Sequence, residues 1–170
     1  MSFEIGSIVL HDIQSLDLEQ TYEPLGGEAI LRAVSGLGLK QATWSKLRVT
    51  TSGSGWMPPS LAALDTAAQQ TLKCAVPRSI PCSGLTATLP AARRSDTGHT
   101  PYGIAILPSG QAVKTAAALV GDVATVTAVS GATAYAVQYY PQLTVWALRP
   151  SASGNRGDAS HRWELVCEEV

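Results

Sequence analysis

Asp96, His99 and the adjacent Arg93 and Arg94 are the residues of this chain whose types and spacing come nearest to chemistry. A carboxylate can orient an imidazole, the imidazole can take a proton from a nucleophile, and a guanidinium can hold an anion. The segment that carries them, 91–101, lies between Pro90 and Pro101 and is rich in Ser, Thr and Gly, so it reads as an exposed loop of mixed charge. No Gly-x-Ser-x-Gly elbow supplies a nucleophile, and Ser54 in Gly53-Ser54-Gly55 belongs to a loop rather than a strand-to-helix turn. Gly36, Gly38 and Lys40 lack the spacing of a phosphate loop. His11 beside Asp12 and His161 beside Arg162 are isolated, so no metal site is expected. The expectation is a non-enzymatic protein without a cofactor, and a small hydrolase using Asp96 and His99 ranks last.

The aromatic residues offer a second kind of chemistry, stacking on sugar rings. Trp56, in a glycine-rich loop, is the best platform, whereas Trp146 and Trp163 lie within strand patterns and read as core or intersubunit anchors. Arg93 and Arg94 join Trp56 as expected loop contacts. Cys74, Cys82 and Cys167 are odd in number and have no zinc spacing, so reduced, mostly buried thiols are expected.

The elements that must position these residues are mostly strands. Leu16, Leu18 and Tyr22 recur at even spacing, and Gln41–Ser52 alternates Leu47, Val49 and Thr51 with Lys46, Arg48 and Thr50. Residues 28–34 fit a strand or a short helix. Pro59 and Ser60 open a helix expected over about 59–70, with Leu61, Leu64 and Ala68 on one stripe. From Gln111 to Leu148 the chain carries only Lys114 and Asp122 as charges, too polar-interrupted to span a bilayer and too apolar for a solvated helix. It reads as strands buried on both sides or against a neighbouring subunit, with turns at Gly121-Asp122 and Ser130-Gly131. Val126, Val137, Tyr139 and Trp146 are the expected assembly contacts. Arg162–Val170 closes the chain as a strand with Trp163, Leu165 and Cys167 on one face.

Composition sets the outer bounds. The 170 residues suit one β-rich domain over 1–170, with long loops near 52–59, 90–101 and 150–160. Only 15% of residues are charged and the formal net charge is −1, with no basic patch, which disfavours sequence-specific nucleic-acid binding. The first residues lack a basic region and an apolar run, so synthesis in a cytoplasm is expected.

Two segments resemble structural proteins of tailed-bacteriophage tails. One is Tyr139-Tyr140-Pro141-Gln142-Leu143-Thr144-Val145-Trp146 followed, after a polar loop, by Trp163 to Val170; the other is Trp44 to Arg48 and Gly53 to Pro59 with Leu61 and Leu64. The resemblance implies an antiparallel β-sandwich or barrel with one flanking helix, forming a tail tube, tail-tip hub or baseplate ring. Such a ring is commonly six-fold, meets other tail or baseplate proteins, and surrounds the channel through which DNA passes. It implies a virion protein assembled in the host cytoplasm, with no membrane partner. No long, strongly alternating hairpin that would line a tube is evident in the sequence. The alternative is a carbohydrate- or receptor-binding β-module at the virion surface.

Overall fold

The computed structural model describes residues 2–170. Its strands are β1 (Phe3–Ile5), β2 (Ile8–Leu10), β3 (Glu19–Arg32), β4 (Gly38–Gly55), β5 (Gln70–Lys73), β6 (Arg78–Pro81), β7 (Thr86–Thr88), β8 (Tyr102–Ile106), β9 (Ala112–Thr115), β10 (Ala117–Val120), β11 (Val123–Val126), β12 (Ala134–Tyr139), β13 (Gln142–Ala147), β14 (Ser151–Asn155) and β15 (Ser160–Glu169). The protein is mainly β, in sheets of eight, three and four strands. None closes into the expected barrel. The outer strands of the two smaller sheets have three or four residues, too few to carry the stagger that closure requires.

The expected helix over 59–70 is not formed either. Ser60–Ala63 makes a single 3-10 turn, and Leu64 is already extended at φ −69°, ψ 123°. Asp65 explains the stop: its Oδ1 accepts from the Ala67 N–H and its carbonyl accepts from Gln70 Nε2, a local arrangement that competes with helical pairing. Two expected loops are also partly strand. β4 continues through Gly55, and β14 occupies 151–155 by pairing with β15, Ser153 facing Arg162.

The chain divides into two compact units, where the sequence reading expects one domain. The first comprises the start of the chain through Glu4 together with Leu72–Leu143. It holds the sheet β6-β12-β8-β9 and the sheet β10-β11-β7. Alternation along β12 sends Val137 and Tyr139 inward, where they meet Ala124 and Val126 of β11 and Ala87 and Leu89. Three of the expected assembly contacts, Val126, Val137 and Tyr139, are therefore core of this unit, each no more than 4% exposed. Gly121-Asp122 is the two-residue turn between β10 and β11, with Val120 opposite Val123. Ser130-Gly131 joins no hairpin, because β11 and β12 belong to different sheets.

The second unit comprises Ile5–Thr71 and Thr144–Val170. Here β3 and β4 form an antiparallel hairpin from Glu19 opposite Ser52 to Arg32 opposite Gly38. β15 lies on the other edge of β4, but only from His161 opposite Gly55 to Glu168 opposite Arg48. One face of this sheet buries Val49, Thr51, Trp163, Leu165 and Cys167, while the other carries Arg48, Thr50, Ser52, Arg162 and Glu164. Glycine at 53 is dictated by the Trp163 indole, which would lie 3.0 Å from a Cβ there. That indole donates to the Gln14 carbonyl at 2.8 Å. The Ser-Gly-Ser-Gly run is thus a strand whose inward positions are emptied, Gly53 for the Trp163 indole and Gly55 for the Ile13–Gln14 backbone.

Gly103 of β8 sits within the first unit's core, and a Cβ there would fall 2.5 Å from Val126 Cγ1 and 2.9 Å from Thr115 Cγ2. Both obstacles are short branched side chains with little freedom to swing away. Gly103→Ala is expected to destabilise the protein by about 1–3 kcal/mol, read as a lower urea midpoint. Adding Val126→Ala should recover part of that loss, and no recovery would mean the strain arises elsewhere.

Candidate functional site

The outer half of the β3–β4 hairpin is a two-stranded arm. From Glu28 to Ser45 every residue is exposed. β15 has stopped at Glu169, so β4 has no strand on its outer side beyond Arg48, and β3 is the edge of its sheet. The end of the body is marked by polar ties: Arg48 donates to Glu168 Oε1 at 2.7 and 3.0 Å, Glu169 Oε2 accepts from the Leu47 N–H at 2.9 Å, and Lys46 Nζ donates to the Val170 carbonyl.

A β-bulge separates body from arm. Gly26 pairs with Ser45 and Glu28 with Ala42, so Thr43 and Trp44 together oppose Gly27. The Thr43 hydroxyl donates to the Gly27 carbonyl at 2.9 Å. Glycine at 27 leaves room for the Trp44 indole, whose Nε1 would sit 2.5 Å from a Cβ. Since β4 gains one residue, its alternation inverts at the bulge. The arm face that continues the body's buried side carries Glu28, Ile30, Arg32, Lys40 and Ala42, with a Lys40–Glu28 ion pair at 2.8 Å. The face that continues the body's polar outer side carries Ala29, Leu31, Leu39 and Gln41. At the tip, Ala33 N–H donates to Leu37 O and Gly36 N–H to Ala33 O, with Gly36 at φ +82° supplying the left-handed residue. Leu31 is 53% exposed, Leu37 73% and Leu39 67%. A water-facing ribbon with such a face can act chemically only by adding backbone and apolar contacts to another surface.

Trp56 lies in a second uncovered apolar area of the same unit, with Ile13, Leu16 and Met57. Its base is tied down: Trp56 N–H donates to Ile13 O at 3.0 Å, Leu16 N–H to Ser54 O at 2.8 Å, and Gln14 Nε2 to Pro58 O at 3.1 Å. Asp17 accepts from the Ser54 N–H, and this Ser54 hydrogen bonding holds its carboxyl below the usual range. Trp56 is thus an exposed ring on a pinned segment rather than on a flexible loop. Trp146, opposite Glu168 in β15, is partly exposed on the polar face of the sheet.

Arg93, Arg94, Asp96 and His99 prove to be a structural knot of the first unit. Arg94 is fully buried, the reverse of an exposed loop contact. Its Nε and Nη2 grip both oxygens of Asp96 at 2.9 and 2.6 Å, while Nη1 donates to the carbonyls of Ser2, at 3.0 Å, and Cys74, at 2.9 Å. Glu4 Oε1 lies 3.6 Å from Nη2. A buried guanidinium demands acceptors for its donors, and this one finds them by drawing loop 90–101 against Ser2 and Lys73–Cys74. His99 Nδ1 lies 2.9 Å from Asp96 Oδ2, and its ring meets Tyr140 edge-on at 4.9 Å. His99 Nε2 is buried without a hydrogen-bond partner, so no hydroxyl or thiol stands in line with it as a nucleophile. Arg93 staples the β10–β11 turn, donating to Asp122 Oδ1 and to the Gly121 carbonyl, each at 2.8 Å.

Among the described residues, no three His, Cys, Asp or Glu side chains are grouped as metal ligands, and no helix is long and apolar enough to cross a membrane. Cys74, Cys82 and Cys167 are free thiols. The arm escaped sequence reading because its residues alternate only weakly; the signal that was present is Leu31, Leu37 and Leu39 around Gly36 and Gly38. Comparison with known proteins finds no matching family model, no matching curated protein and no matching solved structure.

The Arg94 hydrogen bonds, with its charge behind them, hold the Asp96 carboxyl well below its ordinary value. A carboxylate depressed by folding stabilises the native state in full above the ordinary value of 3.8 and loses that contribution as pH falls below it. Asp96→Asn should therefore lower the melting temperature at neutral pH, with the gap from wild type closing as pH drops below about 4. Arg94→Ala should cost about 3 kcal/mol, because it strands buried acceptors. A pH-independent gap for Asp96→Asn would show that the carboxylate's charge plays no part in the knot.

Proposed function

We propose that this protein is a non-enzymatic structural component of a phage tail, forming a tube, hub or baseplate ring by self-association. One observation carries the reading: the β3–β4 arm is exposed on both faces and both edges from Glu28 to Ser45. An isolated two-stranded ribbon is marginal in water, so a protein that maintains one has a use for its unpaired edges. Both arm strands are antiparallel neighbours with opposite free edges, so the β4 edge of one copy is free to pair with the β3 edge of the next. Repeated head to tail, that contact closes into a ring when its rotation closes. The length of the arm supports the long hairpin that the resemblance calls for, while its residues alternate only weakly. The sandwich reading finds support in the first unit, where two sheets share one core. Six-fold order, a DNA-lined lumen, neighbouring tail proteins and virion location belong to the proposal through the resemblance.

The second reading is a glycan- or receptor-binding module, favoured by the exposed Trp56 ring. It predicts saccharide binding by a monomer, with quenching of tryptophan fluorescence.

Sedimentation over a concentration series tests the first reading, expected to show a closed oligomer. Replacing residues 26–45 with Asn-Gly joins Leu25 to Lys46, which are paired in the native ladder, through a two-residue turn. The shortened protein should lose no more than about 1 kcal/mol of stability, since the removed residues are already exposed, yet remain monomeric. A shortened protein that still forms the same oligomer would remove the arm from the assembly.

A further inference from the structure

We propose that the outer face of the second unit, around Arg162, binds a neutral saccharide chain. The site goes beyond self-assembly and does not depend on it, and it gives the module reading a surface separate from Trp56.

Three cavities of about 320, 250 and 240 Å³ open on this face, and Arg162 lines each of them. Strand register accounts for the hollows. Arg162 of β15 has Ser153 of β14 on one side and Ser54 of β4 on the other, and Glu164 likewise stands between Ser151 and Ser52. A long side chain flanked by two short ones leaves space on both sides of it. Packing dictates the glycines at 53 and 55 on the inner face. On the outer face Thr, Val or an aromatic residue would favour the strand, yet these four positions are serine.

The Arg162 guanidinium donates no hydrogen bond and has no ion-pair partner among the described residues. Asp17 and Asp158 feel its charge through space. Each of these carboxylates is fixed by a serine: Asp17 accepts from the Ser54 N–H, and Asp158 Oδ1 accepts from the Ser160 N–H at 3.2 Å and from its hydroxyl at 2.7 Å. The turn that returns Asp158 to Ser160 holds Ala159 at φ 51°, a left-handed conformation that is costly for a residue with a Cβ. Polar groups are therefore held around an arginine whose own donors are left open.

These groups select among ligand classes. Asp17, Glu19, Asp158 and Glu164 line the same hollows and outnumber the one guanidinium, so an anion is repelled. A metal ion would meet the guanidinium at the centre, and among the described residues no three carboxylates are grouped as ligands. An apolar ligand would find short hydroxyls where it needs a hydrophobic wall. A neutral chain of hydroxyls suits every group: its oxygens accept from the guanidinium, its O–H groups donate to the carboxylates, and the serines do either. The lined stretch of β15, from Ser160 to Glu164, runs roughly 13 Å at about 3.3 Å per residue, which favours an extended chain over a single compact molecule.

Saturation-transfer NMR on the full-length protein tests the site in any oligomeric state. The probes are neutral oligomers of glucose, galactose, mannose and N-acetylglucosamine, with an oligogalacturonate as the anionic comparison. At least one neutral oligomer should bind with a dissociation constant on the order of 1 mM, and the galacturonate should bind more weakly. Arg162→Ala should weaken binding at least about tenfold, and Arg162→Lys should fall between it and wild type, because lysine offers fewer donors and no planar fork. Ser153→Val should also weaken binding by filling the hollows while favouring the strand, and circular dichroism of all three variants should match wild type. Trp56→Ala should bind as wild type does. Preference for the galacturonate, or neutral binding indifferent to Arg162→Ala and Ser153→Val, would overturn the site. Binding lost with Trp56→Ala alone would overturn it while keeping the module reading, and no transfer to any neutral oligomer at roughly 10 mM would overturn both. Sedimentation decides self-assembly separately.

Discussion

A strand must pair its backbone on each side or leave a row of amides and carbonyls to water, and in the second unit that requirement is met unevenly. β4 has β3 along its whole paired length but has β15 only as far as Arg48. The burial pattern along β3 and β4 follows from this mismatch in length. Where three strands lie side by side, alternate residues are buried and Trp163 can settle over Gly53; where two remain, nothing is buried. The Arg48–Glu168 pair and the Glu169–Leu47 bond sit at the changeover. As exposed, salt-screened interactions they add little stability, but they fix where body ends and arm begins.

The first unit solves a different problem. Its two small sheets share a core of modest side chains, and the long connection through 90–101 is tied to the sheets by one short backbone bridge, Arg93 opposite Pro141. The Arg94 side chain adds to that bridge: a charge that cannot be left unpaired inside a protein recruits Asp96 and the carbonyls of Ser2 and Cys74. The residues that most resemble a catalytic set are therefore the ones most fully occupied with one another. His99 completes the knot through Asp96 and packs on Tyr140, leaving only Nε2 without a partner.

Period-two patterning made the strands around Val49, Val137 and Leu165 legible, since each has one buried face. It also located the Gly121-Asp122 turn, where glycine takes a positive φ. The helix over 59–70 was misleading because its apolar spacing was read without the Asp65 side chain, which ties up the local backbone. Loop-like composition misled at Ser52–Gly55, where Gly53 answers to a tryptophan more than a hundred positions away and Gly55 to the backbone of Ile13 and Gln14. The burial of Arg94 was illegible for the same reason: the acceptors that make it tolerable come from distant parts of the chain. As for the arm, a ribbon that buries neither face has no periodicity imposed by its own fold, so only the glycines at its turn and the leucines beside them betray it.

The bulge at Gly27 also sets what kinds of length variation this protein can accept over evolutionary time. Adding or losing two residues on each arm strand would move the tip while keeping every side chain on its present face. One residue lost from Thr43-Trp44 would heal the irregularity and leave Leu39 opposite Leu31, whereas one lost at Gln41, beyond the bulge, would turn over β4 from there to the tip and bring Leu39 to the side now held by Lys40. Such a chain could keep its composition, its turn and its body and yet present a different surface. Gene variants of this protein should accordingly differ in arm length beyond the bulge by matched, even steps.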